Sequence, residues 1–508
     1  KLRLSPGLRF DLAKTDSPPI STLSQNTPID KNAGTTYNST PLSQINNKIF
    51  GQVLVSPRLG FNYDVNGDKS LIVRGGSGIF TGKIPFAWLG YAFYNDGVGF
   101  GSFDVNNLAT RTNVTGDVLK DGARAYAFNN GQGSQTQVDV VSNNFKMPQV
   151  WRSSLAVDYT LNGYKFTLEG IYTKTINDLK FQQVNLKDSV RYYSYDVNRQ
   201  MPIYLSGGAT GQKINTAFSN AYMLSNTSEG YRYSLTAQVS KQYPFGLNFS
   251  AAYTYGQSFD ITNGIRNSME SNWQLNQSLT PNDPKLGYSN FDIRHRIISQ
   301  IGYNKQWNKL HGTSLSVVIN AQSGNPFTWG FVNSTIANTP QAAGLAYVFK
   351  DVAEATKYFV DYKDASGATI TAAQQAQQFM DFVNGDSYLS TRKGNFTERN
   401  GGRTPWNTTA DVRIMHTINV SPSVKNNRPH TIQLSLDIIN FTNLLNPSWG
   451  RVYFVPNTFN STSSLGLTRV NSGTAADPTY RFVTPATPYS VDQLASRFQA
   501  QVGARYSF

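Results

Sequence analysis

The chain has 508 residues, with 45 Lys and Arg against 31 Asp and Glu, a net charge of +14 and no cysteine. The missing thiols exclude disulfides and thiolate metal sites, and the scattered basic residues form no cluster or stacking motif of an RNA or DNA module, so no nucleic-acid partner is expected. No apolar run approaches the roughly 18 residues of a transmembrane helix, which leaves strands as the way for such a chain to cross a membrane.

Period-two patterning begins at once. In 1–12, Leu2, Leu4, Pro6, Leu8, Phe10 and Leu12 alternate with polar residues and glycine, and Pro6 predicts a strand end or an irregular pairing. After a polar segment, 13–47, a second strand is predicted at 55–65, and Asn66-Gly67 signals a hairpin into 70–80. A very long loop, 82–147, follows. The rhythm returns at 151–161, turns at Asn162-Gly163 and comes back over 164–173. A third excursion runs to about 230, and strands are then predicted at 231–239, 247–255, 291–303 and 314–323. The longest loop, 324–404, holds the only convincing helix, near 371–383, with Phe379, Met380, Phe382 and Val383 apolar. Residues 408–418 and 430–438 make the next hairpin, and 496–508 end the chain with Phe498, Ala500, Val502, Ala504, Tyr506 and Phe508 on one face.

About twelve strands result, with short turns and long loops in strict alternation. Soluble sandwiches mix connection lengths at both ends, and compact domains rarely carry structureless loops of this length. Outer-membrane barrels have short periplasmic turns and long extracellular loops. The fold class expected is therefore all-β, an antiparallel transmembrane barrel whose apolar face meets lipid and whose polar face lines the lumen. The 28 Tyr and 30 Phe suit interfacial girdles, and the positive charge suits lumen and rims among anionic headgroups. The terminal strand is expected to descend, placing the C-terminus in the periplasm and Phe508 at the lower interface.

Several segments are more specific: SPRLGFNYDVNGDKSLIVRGGSGIFTGKIP at 56–85, LGYSNFDIRHR at 286–296, RKGNFTERNGGRTPW at 392–406, DIINFTNLLN at 437–446 and the terminal RFQAQVGARYSF. Together they resemble the C-terminal barrel region of TonB-dependent outer-membrane receptors of the Bacteroidetes type, the Oar-like branch related to SusC transporters. The resemblance implies a plug domain and a TonB-contacting segment ahead of this chain. It also implies a barrel of roughly 22 strands, of which 1–508 would be the C-terminal portion, read as a fragment.

Candidate site residues fall into two groups. Asp292, Arg294 and Arg296 are expected to share one strand face, as are Asp411 and Arg413; Arg74, Glu169, Arg497 and Arg505 add further lumen candidates. Inward charges in a membrane barrel need partners, so they either grip a plug and line a substrate path or form wall-to-wall ion pairs that hold the barrel. The second group is the aromatic run Phe86, Trp88, Tyr91, Phe93 and Tyr94, which either anchors a ligand or packs a small loop core. The Gly75-Gly76-Ser77-Gly78 run lacks the Lys and helix of a phosphate loop, and Asp64-Val65-Asn66-Gly67-Asp68 has its Gly misplaced for a calcium loop and reads as a turn. His295, His311, His416 and His430 show no metal-ligand spacing, so no metal is expected.

The resulting expectation is energy-coupled import of an oligosaccharide or peptide, without catalytic residues or cofactor. TonB acting through the N-terminal region, membrane lipid or lipopolysaccharide, and a surface lipoprotein are the expected partners. A docking platform for surface proteins and a passive porin are the alternatives.

Overall fold

The computed structural model describes residues 1–13, 52–96, 116–117, 119–121, 136–143, 145–186, 191–203, 213–216, 218–262, 264, 266–332, 341–421, 430–456, 461–470 and 478–507. Twelve long strands form one antiparallel meander: β1 (Leu2–Leu12), β2 (Val53–Asp64), β3 (Leu71–Thr81), β4 (Gln149–Leu161), β5 (Tyr164–Gln183), β6 (Tyr231–Gln242), β7 (Leu247–Asp260), β8 (His295–Gln306), β9 (His311–Gln322), β10 (Asn407–Ser421), β11 (His430–Ile439) and β12 (Gln499–Ser507). Each pairs with the next in sequence, and β1 and β12 are the two edges.

Register turns the alternation of single strands into two continuous faces. Leu2, Tyr63, Val73, Val157, Leu168, Ala237, Tyr253 and Ile297 line up across β1 to β8. One position along, Arg3, Asn62, Arg74, Ala156, Glu169, Thr236, Thr254 and Arg296 form the opposite face. Large apolar side chains on the first face stand open, with Leu2 61% and Leu168 51% exposed. A sheet that leaves that face bare has its hydrophobic partner outside the chain.

Turn chemistry explains the tight end. Asn162 and Gly163 both take positive φ, 52° and 76°, the backbone that a two-residue hairpin needs and that Asn-Gly adopts most readily. At the β2–β3 turn the Asp64 carboxylate accepts from the Gly67 and Lys69 amides, which makes this acidic stretch a turn rather than an ion loop. Pro6 does not interrupt β1, where it sits opposite Leu59. β1 is an edge strand, the place where a residue without an N–H is tolerated.

Three of the boundaries that differ from expectation have a local cause. β5 continues to Gln183, because its far end, Asp178–Gln183, leaves the wall and pairs with Phe218–Thr227. β8 starts at His295 rather than 291, since the Asp292 amide bonds back to the Ser289 carbonyl in a turn. β12 starts at Gln499 because Gln493–Ser496 is helical, with Asp492 capping the Leu494 and Ala495 amides. Phe508 lies outside the described residues.

The long connections are not structureless. One buried cluster joins helix Phe86–Tyr94, strand Thr136–Val141, the end of β5 and helix Met269–Gln274 through Trp88, Phe181, Tyr222, Leu224 and Trp273. A second gathers Phe327, Trp329, Phe349, Phe379, Tyr480 and Phe482. The expected helix is present as Ala372–Gly385, opened by a capping box between Thr371 and Gln374, with Phe379, Met380 and Val383 buried. It is not the only well-formed helix, because the aromatic run also coils.

Candidate functional site

The polar face carries charges whose partners come from adjacent strands. Arg74 on β3 donates from Nε to Asp158 on β4 at 2.9 Å and lies 3.7 Å from Glu169 on β5. Asp158 also accepts from the Thr167 hydroxyl at 2.6 Å. Two expected residues, Arg74 and Glu169, thus lie within ion-pair distance of each other, and Arg74 also pairs with Asp158, which period-two reading did not single out. Arg413 on β10 lies 3.3 Å from Asp437 on β11, whereas Asp411 accepts from the Asn440 amide at 2.8 Å and holds a left-handed turn, with Asn440 at φ 53°. Arg296 reaches Asn320 at 3.4 Å. Arg505 stands on the polar face opposite Gln433. Arg497 is a correction: it occupies the bend between the short helix and β12, not the strand.

Asp292 and Arg294 are also corrected. They lie in the segment leading into β8, so the expected face shared with Arg296 on one strand is replaced by a buried cluster at the long-loop rim. The Asp292 side chain is fully buried. It accepts from Arg403 Nη2 and from the Ser258 amide at 2.8 Å, with Arg294 3.5 Å away. Arg403 also donates to the Asp292 carbonyl at 2.9 Å. The two guanidiniums approach the Tyr288 ring, at 4.4 Å for Arg294 and 5.6 Å for Arg403. Beside this cluster Arg399 pairs with Asp260, and Asn400 donates to the Tyr288 carbonyl at 2.8 Å and to Asn290. The glycines between are required by space: a Cβ on Gly402 would meet the Phe327 ring at 2.7 Å. Arg399 and Arg403 belong to the 392–406 segment singled out in the sequence, but partners more than a hundred residues away could not be read from it.

The aromatic run divides by face. Helix Phe86–Tyr94 buries Trp88, Leu89 and Ala92, and Trp88 donates to the Arg266 carbonyl at 2.6 Å while meeting Phe181 edge-on. Phe86 and Tyr94 are more than half exposed, Phe93 is 39% exposed and Tyr91 is partly buried. Behind this helix a buried acid, Asp139, accepts from Asn95 at 2.9 Å and from Gln137 at 3.0 Å. Burial pushes its carboxyl up to about 7, with the charge of Glu270 adding to the rise and the two hydrogen bonds opposing it.

Histidine pairing was missed. His311 Nδ1 and His416 Nε2 lie 3.1 Å apart, and Thr313 is 2.9 Å from the other ring nitrogen of His416. Strand register, not sequence spacing, brings them together. Among the described residues no group of three or more His, Asp or Glu is placed to hold a metal ion.

The family described as outer membrane beta barrel domain matches residues 1–483. No curated protein matches the sequence significantly. Among solved structures, the chain is similar to the outer membrane transporter YddB from Escherichia coli, with 9% identity and a TM-score of 0.38 over 90% of this chain and 41% of that one. It is similar to BauA, the ferric preacinetobactin receptor from Acinetobacter baumannii, with 10% identity and a TM-score of 0.35 over 93% and 38%. The siderophore receptor PirA from Pseudomonas aeruginosa gives 9% identity and 0.30 over 77% and 39%. The chain thus spans about two fifths of each of these proteins.

Proposed function

Since this chain belongs to the family of outer membrane beta barrel domains, we propose that residues 1–508 are the C-terminal portion of the barrel of a TonB-dependent receptor, of the Bacteroidetes type related to SusC and Oar-like proteins. In this reading roughly ten further strands complete a barrel of about 22, a plug fills the lumen, and TonB displaces that plug to admit an oligosaccharide or peptide captured at the loops. The tight turns and the C-terminus face the periplasm. A surface lipoprotein covers the loops, and the chain makes and breaks no covalent bond.

The observation that supports this most is the polar face. Arg74 with Asp158 and Glu169, and Arg413 with Asp437, line the side away from lipid, while the loops above fold into packed cores that can hold a binding surface in place. A wide lumen lined by fixed charges suits a large polar cargo held against a removable plug. The test is uptake by proteoliposomes or cells carrying the full-length protein, with and without the TonB-contacting segment. Uptake that needs that segment supports import, and uptake indifferent to it overturns the reading in favour of a passive pore.

A further inference from the structure

Five of the arginines described above have a carboxylate, whereas, among the described residues, a whole row on the polar face has none. Following register across the wall, Gly7, Arg58, Gly78, Arg152, Thr173, Arg232 and Ser258 lie side by side on the polar face of β1 to β7. Every second strand contributes a guanidinium, and the strand between contributes a small residue. With strands about 4.8 Å apart, successive arginines are spaced about 10 Å along the row.

The row is built rather than accidental. A Cβ on Gly78 would meet Arg58 Cγ and the Pro57 carbonyl at 2.8 Å each, so only glycine lets the Arg58 stem lie across β3. This gives the last glycine of the Gly75-to-Gly78 run a purpose. Arg58 and Arg152 approach the Phe80 ring, at 4.4 and 5.7 Å, and Arg152 is steadied by the Thr173 hydroxyl at 3.2 Å. Arg152, Thr173, Arg232, Thr254 and Ser258 line one cavity of about 320 Å³, together with Asp292, whose charge is already met by Arg403. Among the described residues no carboxylate lies within ion-pair distance of Arg58, Arg152 or Arg232, in contrast to Arg74, Arg294, Arg399, Arg403 and Arg413, which each have one.

Cations facing the interior of a membrane barrel call for anions, and the planar guanidinium matches a carboxylate with two parallel hydrogen bonds. We propose that this row is a binding track for an extended oligomer bearing carboxylates about 10 Å apart, which narrows the imported substrate to an acidic one. The proposal rests on the import reading for its purpose but not for its measurement. Two sources offer the same chemistry, an oligosaccharide with acidic sugars and an acidic peptide, and they are separated by probe.

The experiment is calorimetric titration of the full-length protein in detergent with oligogalacturonate, hexaglutamate and neutral maltohexaose, on wild type, the triple variant R58Q/R152Q/R232Q and R413Q. Expected is binding of one or both acidic probes and not of the neutral one. Their affinity should fall at least tenfold in the triple variant and less than twofold in R413Q, which breaks a pair but leaves the row intact. Should the triple variant fail to show the heat-dependent gel shift of a folded barrel, R232Q alone serves, because Arg232 holds no other part of the wall, and at least a threefold loss is expected. Equal affinity in wild type and variant, equal binding of maltohexaose, or no binding of either acidic probe overturns the proposal. Binding is read without transport, so this site survives if the uptake test above fails, and its own failure leaves import untouched.

Discussion

Replacing Asp292 by alanine tests the rim cluster most directly. The carboxylate is fully buried and Arg403 is 18% exposed, so the substitution strands a nearly buried guanidinium. Removing one member of a buried pair costs about 3 to 5 kcal/mol. Arg403 keeps its bond to the Asp292 carbonyl, which argues for the lower figure, while the orphaned Ser258 amide adds about 1 kcal/mol. A loss of about 4 kcal/mol is therefore expected, read from urea unfolding of the full-length protein in detergent by gel shift and tryptophan fluorescence. The companion R403M should cost a similar amount, because it leaves the fully buried Asp292 carboxylate with only Arg294, 3.5 Å away, as counter-charge. The double variant should recover at least 1.5 kcal/mol relative to the sum of the singles. A D292A loss below about 0.5 kcal/mol, or strict additivity, would refute the claim that this pair fastens the 392–406 segment to the wall.

Three further outcomes are expected. Gly324→Ala places a Cβ against the Thr404 carbonyl at the mouth of β9 and β10; a cost of about 3 kcal/mol is expected in the same unfolding assay, and wild-type stability would show that the backbone there is free to shift. Asp139 holds its proton up to about pH 7 when folded but releases it near 3.9 when unfolded, so the folded state binds more protons in between; this stabilisation is full below about pH 4 and is lost as pH rises through 7. Asp139→Asn should weaken that dependence, leaving only the smaller contribution of neighbouring buried acids such as Glu270, which burial also raises, seen as a flatter pH profile of protease protection of the 136–143 strand between pH 5 and 8. Trp88→Ala should cost about 3 to 5 kcal/mol within its own loop unit and open it to limited proteolysis, whereas Phe86→Ala, at an exposed position, should stay within about 0.5 kcal/mol; equal cleavage of the two variants would contradict the division of that helix.

The barrel wall was legible because each strand states its own faces. Leu59, Phe61 and Tyr63 alternate in sequence and emerge on the apolar side, and Asn162-Gly163 marks its turn without help from elsewhere. The rim and the loop cores were not legible, for a physical reason: their contacts are long-range and follow no period. Trp88 meets Trp273 in one cluster, and Arg403 finds Asp292 across 111 residues. Helical spacing in 86–94 was readable in principle, since Trp88, Leu89 and Ala92 fall on one face, and packing of a small loop core was one of the two readings open for this aromatic run. The charged ladder was half visible: side-chain parity identified Arg74 and Glu169 as facing one way, while the pairing of Arg74 with both Asp158 and Glu169 needed the register of three strands.

The second loop cluster carries a consequence for how the molecule is made. The wall is a meander in which each of the twelve long strands meets the next, so each tight hairpin closes a short loop and only the joins between hairpins span long ones. The aromatic cluster obeys a different clock. Tyr195 and Tyr480 come together across 285 residues, with Tyr195 stacked on Tyr347 and edge-on to Phe349. That cluster cannot close until 480–482 has been delivered, which happens only just before the last strand is laid down. Contacts of such separation form late, so closure of this cap would report that wall assembly has reached its final hairpin.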